Sequence, residues 1–203
     1  MLRNGAEIFM KLRSIGVLPR DFSAQSFLPP SRGEIYLLLR ALLDRKVKSA
    51  ELEKLLDFYK REGLKNFAPI AARIDKRYFS DLARFLENAD ESFGSFENFK
   101  ANVSREWLLE QKGVGLKTAD FILLFVCDRG EILPVSPEAV KLLNKLGYEF
   151  DDYEEIQSFL TSGDFDKVCS EIKVDREEIF AFFYAAISEF IKNKKYANMK
   201  LEN

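Results

Sequence analysis

Two amphipathic helical patterns near the middle of the chain are separated only by Gly113-Val114-Gly115, a spacing that few backbone paths satisfy. Before it, Trp107, Leu108 and Glu110 stand at helical spacing within Arg105 to Gln111. After it, Ala119, Ile122, Leu123 and Val126 repeat at i, i+3, i+4 and i+7. So tight a reversal predicts crowding that excludes a Cβ at Gly113 and Gly115, with Val114 pinning the turn to the core. The start of the second helix also offers unpaired N–H groups and partial positive charge, which suit a phosphate. Lys112, Gly113, Val114, Gly115 and Thr118 are therefore candidate phosphate-binding residues.

The rest of the chain reads as helix after helix. The expected helices run over 6–15, closed by Gly16; 34–43; from a Ser49 cap to Gly63; 65–74; 78–87; 95–101; and 136–147. Asp152 with Glu155, and Asp175 with Glu178, have the spacing of capping boxes. In the last helix Ile179, Phe182, Phe183, Ala186, Ile187, Phe190 and Ile191 mark a buried face. The segment 20–32, with Pro29-Pro30, reads as a surface loop. Only 131–135 suggests a strand. Phe85, Phe93, Phe96 and Phe99 are spaced as core side chains.

Composition excludes several chemistries. The chain of 203 residues contains no histidine, so no imidazole serves as base or ligand. Two cysteines, Cys127 and Cys169, are too few for a zinc site or an iron–sulfur cluster, and no metal site is expected. The net charge of −2 and pI near 5.5 give no chain-wide attraction to nucleic acid, so a local basic surface must supply it. Arg45 and Lys46, in the basic stretch after the second helix, are candidates for that surface, or equally a solvated helix end. No apolar run approaches the ~18 residues of a membrane helix. No signal-peptide pattern opens the chain, so a cytoplasmic location without membrane partners is expected.

The hairpin string Gly113-Val114-Gly115-Leu116-Lys117-Thr118-Ala119 resembles the helix-hairpin-helix motif of the endonuclease III family of DNA glycosylases. The resemblance sharpens over 95–163, through Ser95-Phe96-Glu97-Asn98-Phe99-Lys100, Arg105-Glu106-Trp107-Leu108-Leu109-Glu110-Gln111-Lys112 and Asn144-Lys145-Leu146-Gly147. There the chain is most similar to the bacterial 3-methyladenine branch. It implies an all-α fold of two lobes with a DNA groove between them, into which a damaged base is flipped. The expected division places about 34–147 in one lobe, with the motif at 105–128, and 1–33 plus 148–203 in the other. Double-stranded DNA is the implied partner of a monomer. No iron–sulfur cofactor is implied, and main-chain carbonyls of such hairpins often hold a monovalent cation.

The same resemblance exposes departures at the reacting centre. Family members place an aspartate at the cap of the helix after the hairpin, where it stabilises the positively charged sugar as the base leaves. That position is Ser136 here, which caps a helix but carries no charge. Loss of such a group slows the reaction by about 10²–10⁴. Glu138 is a candidate replacement, although two residues along a helix rotate a side chain by roughly 200°. Asp128 and Glu131 flank the preceding turn, and Asp120 reads as a solvated residue of the hairpin helix. Lys117 stands where strand-cleaving relatives carry the lysine that forms a Schiff base, and is equally a phosphate contact. Arg45 falls where relatives carry the glutamine that fills the gap left by the flipped base. The relatives' glycine-rich segment before the hairpin is replaced by Ile74-Asp75-Lys76-Arg77-Tyr78-Phe79.

Three functions are compatible with these residues. The first is a repair glycosylase for alkylated or otherwise damaged purines, with a shifted carboxylate and weak AP-lyase activity through Lys117. The second is a DNA- or lesion-binding paralogue that kept the scaffold and lost the chemistry. The third is a helical interaction module whose hairpin merely packs.

Overall fold

The computed structural model describes residues 2–18, 28–43, 48–196, 199 and 201. Among them, helices run in the order α1 (Gly5–Ser14), α2 (Ile35–Leu43), α3 (Ser49–Arg61), α4 (Phe67–Ala71), α5 (Ser80–Phe93), α6 (Phe96–Asn102), α7 (Arg105–Glu110), α8 (Leu116–Phe125), α9 (Pro137–Lys145), α10 (Tyr153–Thr161), α11 (Phe165–Ile172) and α12 (Ile179–Lys192), closed by a 3-10 turn at Lys194–Tyr196. No strand forms among the described residues. The chain divides into two compact units, one of Pro30–Asp128 and one of Met1–Pro29 with Arg129–Asn203. The division falls at Asp128 rather than near 147 because α9 packs against α12 and so belongs with the chain termini.

The middle unit is built on α2, whose Ile35, Tyr36, Leu37, Leu38, Leu39 and Leu43 are all buried. It packs against α3, α5 and α8, while α4 and α6 close on α5. The phenylalanines form core as their spacing predicts. Phe99 is fully buried with Phe67, Phe85, Phe93 and Trp107 at ring distances of 5.3–6.2 Å, mostly edge to face, the geometry that aromatic quadrupoles favour. The second unit gathers around α12, where Ile179, Phe180, Phe182, Phe183, Ala186, Ile187 and Phe190 are buried. Phe183 meets Phe9 of α1, and Phe9 meets Phe165 of α11.

Local signals set six of the twelve helix starts among the described residues. Asn4, Ser95, Ser104, Ser136, Asp152 and Asp164 each accept a backbone N–H from the first turn of the helix that follows. Two expected caps are not used. Ser49 is the first residue of α3, with Lys48 at the cap position, and α12 starts at Ile179 with no side-chain cap bond at Glu178. The expected helices over 65–74 and 78–87 become the short α4 and the longer α5. A turn over 76–78 separates them, so α5 starts two residues later than expected and runs on to Gly94, whose φ of 70° ends it.

Candidate nucleic-acid interface

The hairpin is assembled from α7, the turn 111–115 and α8. Ser104 caps α7 by accepting the Trp107 N–H at 3.1 Å. Gly113 adopts φ 86°, a conformation that L side chains rarely take, so this glycine is required by the backbone itself. Val114 is buried and anchors the turn. Gly115 corrects the expectation of steric crowding: its φ of −103° is ordinary, and a Cβ built there meets no atom within 4 Å. Nothing in the fold demands a glycine at 115. What the glycine leaves is open access to the backbone.

That access leads to unpaired donors. α8 has no side-chain cap, because its cap residue is Gly115. The backbone N–H groups of Gly115, Leu116, Lys117 and Thr118 find no acceptor among the described residues; the ladder begins with Ala119 N–H donating to Gly115 O at 2.9 Å. Unpaired amides at a helix N-terminus are able to receive an anion. Lys117 and Thr118 are half-exposed beside it, and Lys117 has no charged or hydrogen-bonded partner among the described residues. Lys112 is exposed and pairs with Asp81 of α5 at 3.1 Å. The carbonyls of Lys112 and Val114 accept no hydrogen bond among the described residues, which leaves hard oxygen donors of the kind a monovalent cation takes. Arg45 and Lys46 lie outside the described residues.

Two buried polar side chains brace the hairpin. Gln111 donates through Nε2 to Trp107 O at 3.0 Å and accepts from Asn88 Nδ2 at 2.9 Å, which ties the turn to α5. Asp120 is completely buried, contrary to the expectation of a solvated carboxylate. Its two oxygens accept from Arg105 Nε at 2.6 Å and from a terminal guanidinium nitrogen at 3.1 Å. No local signal announces this pair, since its partners are far apart in sequence and on different helices.

In the other unit, residues 131–135 form no strand: Glu131 closes a turn and 132–135 have no regular structure. They are held from α10: Tyr153 Oη accepts the Val135 N–H at 3.0 Å, and Gln157 Nε2 donates to Leu133 O at 2.8 Å. Neither side chain was singled out by sequence reasoning. The tether delivers Ser136, 2% exposed, to the start of α9, where its hydroxyl accepts the Ala139 N–H at 3.1 Å.

Glu138 turns back to this cap. Its carboxylate pairs with Lys192 of α12 at 3.3 Å. Burial opposes its ionisation, but its own backbone N–H, the Lys192 ammonium and the Ser136 hydroxyl together hold its carboxyl below the ordinary carboxylate value. Ser136 thus accepts from Ala139, while the charge of Glu138 is paired with that of Lys192. Among the other candidates, Asp128 has a left-handed φ of 54° and pairs with Arg32 at 2.9 Å, and Glu131 is exposed. Tyr184 is half-buried and Ala186 fully buried in α12. Cys127 is half-buried and Cys169 buried, both as free thiols. Among the described residues no group of three or more acidic or thiol side chains is placed to hold a metal ion, and no helix is long and apolar enough to cross a membrane.

No protein-family model matches the chain, and no curated protein sequence matches it. Among solved structures, the crystal structure of H. pylori 3-methyladenine DNA glycosylase (MagIII) bound to 1,N6-ethenoadenine is similar, with a TM-score of 0.73 and 28% sequence identity. The similarity covers 92% of this chain and 96% of that one, so it extends over both units.

Proposed function

We propose, from the premise that this chain is a homologue of the helix-hairpin-helix 3-methyladenine DNA glycosylases with their all-α, two-lobed fold, that it is a base-excision-repair protein that binds duplex DNA through its hairpin and engages alkylated purines. The observation that carries the DNA-binding reading is the uncapped start of α8. Four backbone donors are left without an acceptor at a glycine that the fold does not need, whereas α3, α4, α5 and α12, which also start without a side-chain cap bond, carry a side chain at the cap position. A phosphate is the anion that a DNA glycosylase homologue presents there. Lys117 and Thr118 follow in the first turn of α8 and would add charge and a hydroxyl there; Lys112, which precedes the turn, is paired with Asp81.

Base release is the weaker half of the reading. The cap of α9 holds a neutral, buried serine whose hydroxyl oxygen accepts the Ala139 N–H, and the nearby carboxylate of Glu138 is paired with Lys192. This arrangement favours a protein that binds the lesion and releases the base slowly or not at all, the alternative to an efficient glycosylase. The alkylated-purine assignment follows from the homologue.

The hairpin reading is tested by Gly115→Val. The Cβ enters empty space and the φ suits any residue, so the fold is kept while the approach to the amides is blocked. Affinity for duplex DNA is expected to fall by about tenfold or more, the worth of a charge-assisted hydrogen bond. Unchanged affinity with an intact fold removes the hairpin from the interface and leaves the interaction-module reading.

A further inference from the structure

Among the described residues, the buried polar or charged positions are Gln111, Asp120 and Ser136, and two of the three belong to the hairpin. The helix that carries Asp120 buries mainly apolar side chains: Ala119, Ile122, Leu123, Leu124 and Phe125. An apolar residue would serve packing there at least as well, because burying a carboxylate is costly even when it is paired. The geometry of the pair therefore calls for its own explanation.

Arg105 is the first residue of α7 and Asp120 the fifth of α8. A planar guanidinium held through two nitrogens by two carboxylate oxygens fixes separation and rotation together, which a single contact does not. Asp120 lies one helical turn beyond Leu116, about 6 Å along the axis and on the same face. The rotation that Asp120 sets for α8 is therefore the rotation at which the amides of Gly115 to Thr118 are aimed. At the other end Gln111 ties the turn to Trp107 and to Asn88, so the hairpin is braced at both ends.

We propose that Arg105 and Asp120 are positioning residues, whose bidentate pair orients α8 so that its unpaired amides meet a DNA phosphate. The inference rests on the reading of the hairpin as the DNA-binding element. It adds that the buried ion pair serves binding geometry rather than stability.

The experiment measures duplex affinity as a function of salt in the full chain. Arg105→Met/Asp120→Leu fills the space with apolar atoms, and Arg105→Lys keeps the charge but not the fork. Each variant is combined with Gly115→Val, and unfolding midpoints are recorded alongside. The expected result for Arg105→Lys, and for the double variant, is DNA affinity reduced about tenfold while the protein remains folded. The slope of log affinity against log salt should become shallower by about one phosphate contact. Gly115→Val should then add little further loss, since both changes disable one cradle. A stabilising pair without a positioning role predicts a shifted midpoint, an unchanged salt slope and full additivity with Gly115→Val, and that result overturns the proposal. If Gly115→Val in the parent is itself silent, the hairpin reading has failed; if it weakens binding while the Arg105 and Asp120 variants do not, only the positioning inference has failed.

Discussion

Replacing Ser136 by Asp tests the chemistry most directly. As a helix cap, aspartate equals serine to within a few tenths of a kcal/mol and keeps the bond from the Ala139 N–H. The difference lies in what surrounds the cap. Ser136 is 2% exposed, and the Glu138 carboxylate stands close enough to influence it. An aspartate sets a second, buried anion beside the first, offset in part by Lys192 and by the helix N-terminus. The expected net effect is a loss of about 1–3 kcal/mol of stability, the range for leaving a buried polar group unsatisfied. Glu138→Gln in the same chain relieves the repulsion and should recover most of that loss. In return the new carboxylate supplies the charge that balances the sugar cation, so base release should accelerate by about 10²–10⁴, or roughly 3–5 kcal/mol of barrier. Single-turnover release from a duplex bearing one methylated purine, with protein in excess, reads this directly. Equal release by the parent and by Ser136→Asp would refute the argument that the missing charge limits the reaction. So would the absence of any acceleration in Ser136→Asp/Glu138→Gln while DNA affinity is intact.

Further outcomes follow from the same geometry. Gly113→Ala must place a side chain at φ 86°, so it should cost about 1–2 kcal/mol in urea unfolding, whereas Gly115→Ala should leave stability nearly unchanged; equal costs would contradict the division of roles between the two glycines. The carboxyl of Glu138 is lowered in the folded chain, so its contribution is present above the ordinary carboxylate range and is lost as pH falls through its folded value. The stability difference between parent and Glu138→Gln should therefore be largest at neutral pH, no more than about 1 kcal/mol, and shrink on acidification. Lys117 stands beside the amide cradle as a phosphate contact, so Lys117→Ala should weaken DNA binding and reduce the salt slope by about one. Borohydride should trap no adduct between the parent and abasic DNA; a trapped adduct that disappears in Lys117→Ala would instead assign the lysine as the nucleophile.

What the amino-acid order determined by itself was whatever depends on neighbours a few residues apart. The periodicity of α8 and α12, the caps at Ser95, Ser104, Ser136 and Asp152, and the left-handed turn at Gly113 all arise within one or two helical turns. The substitution of an uncharged residue at Ser136 is equally a fact of sequence. The local signals ran short where competing starts lay side by side, as at Ser49 and Asp175, because the packing of a whole helix chooses between adjacent first turns. Tertiary structure alone decided the fate of the charges. Nothing near Asp120 in sequence distinguishes a solvated carboxylate from one buried against Arg105, and nothing near Glu138 announces Lys192. The same holds for Tyr153 and Gln157, which hold the approach to Ser136, and for Gly115, whose missing Cβ leaves the amides open rather than avoiding a clash. Each of these depends on which surfaces meet when the helices pack, and a carboxylate's role is set by the dielectric and the partners it finds there.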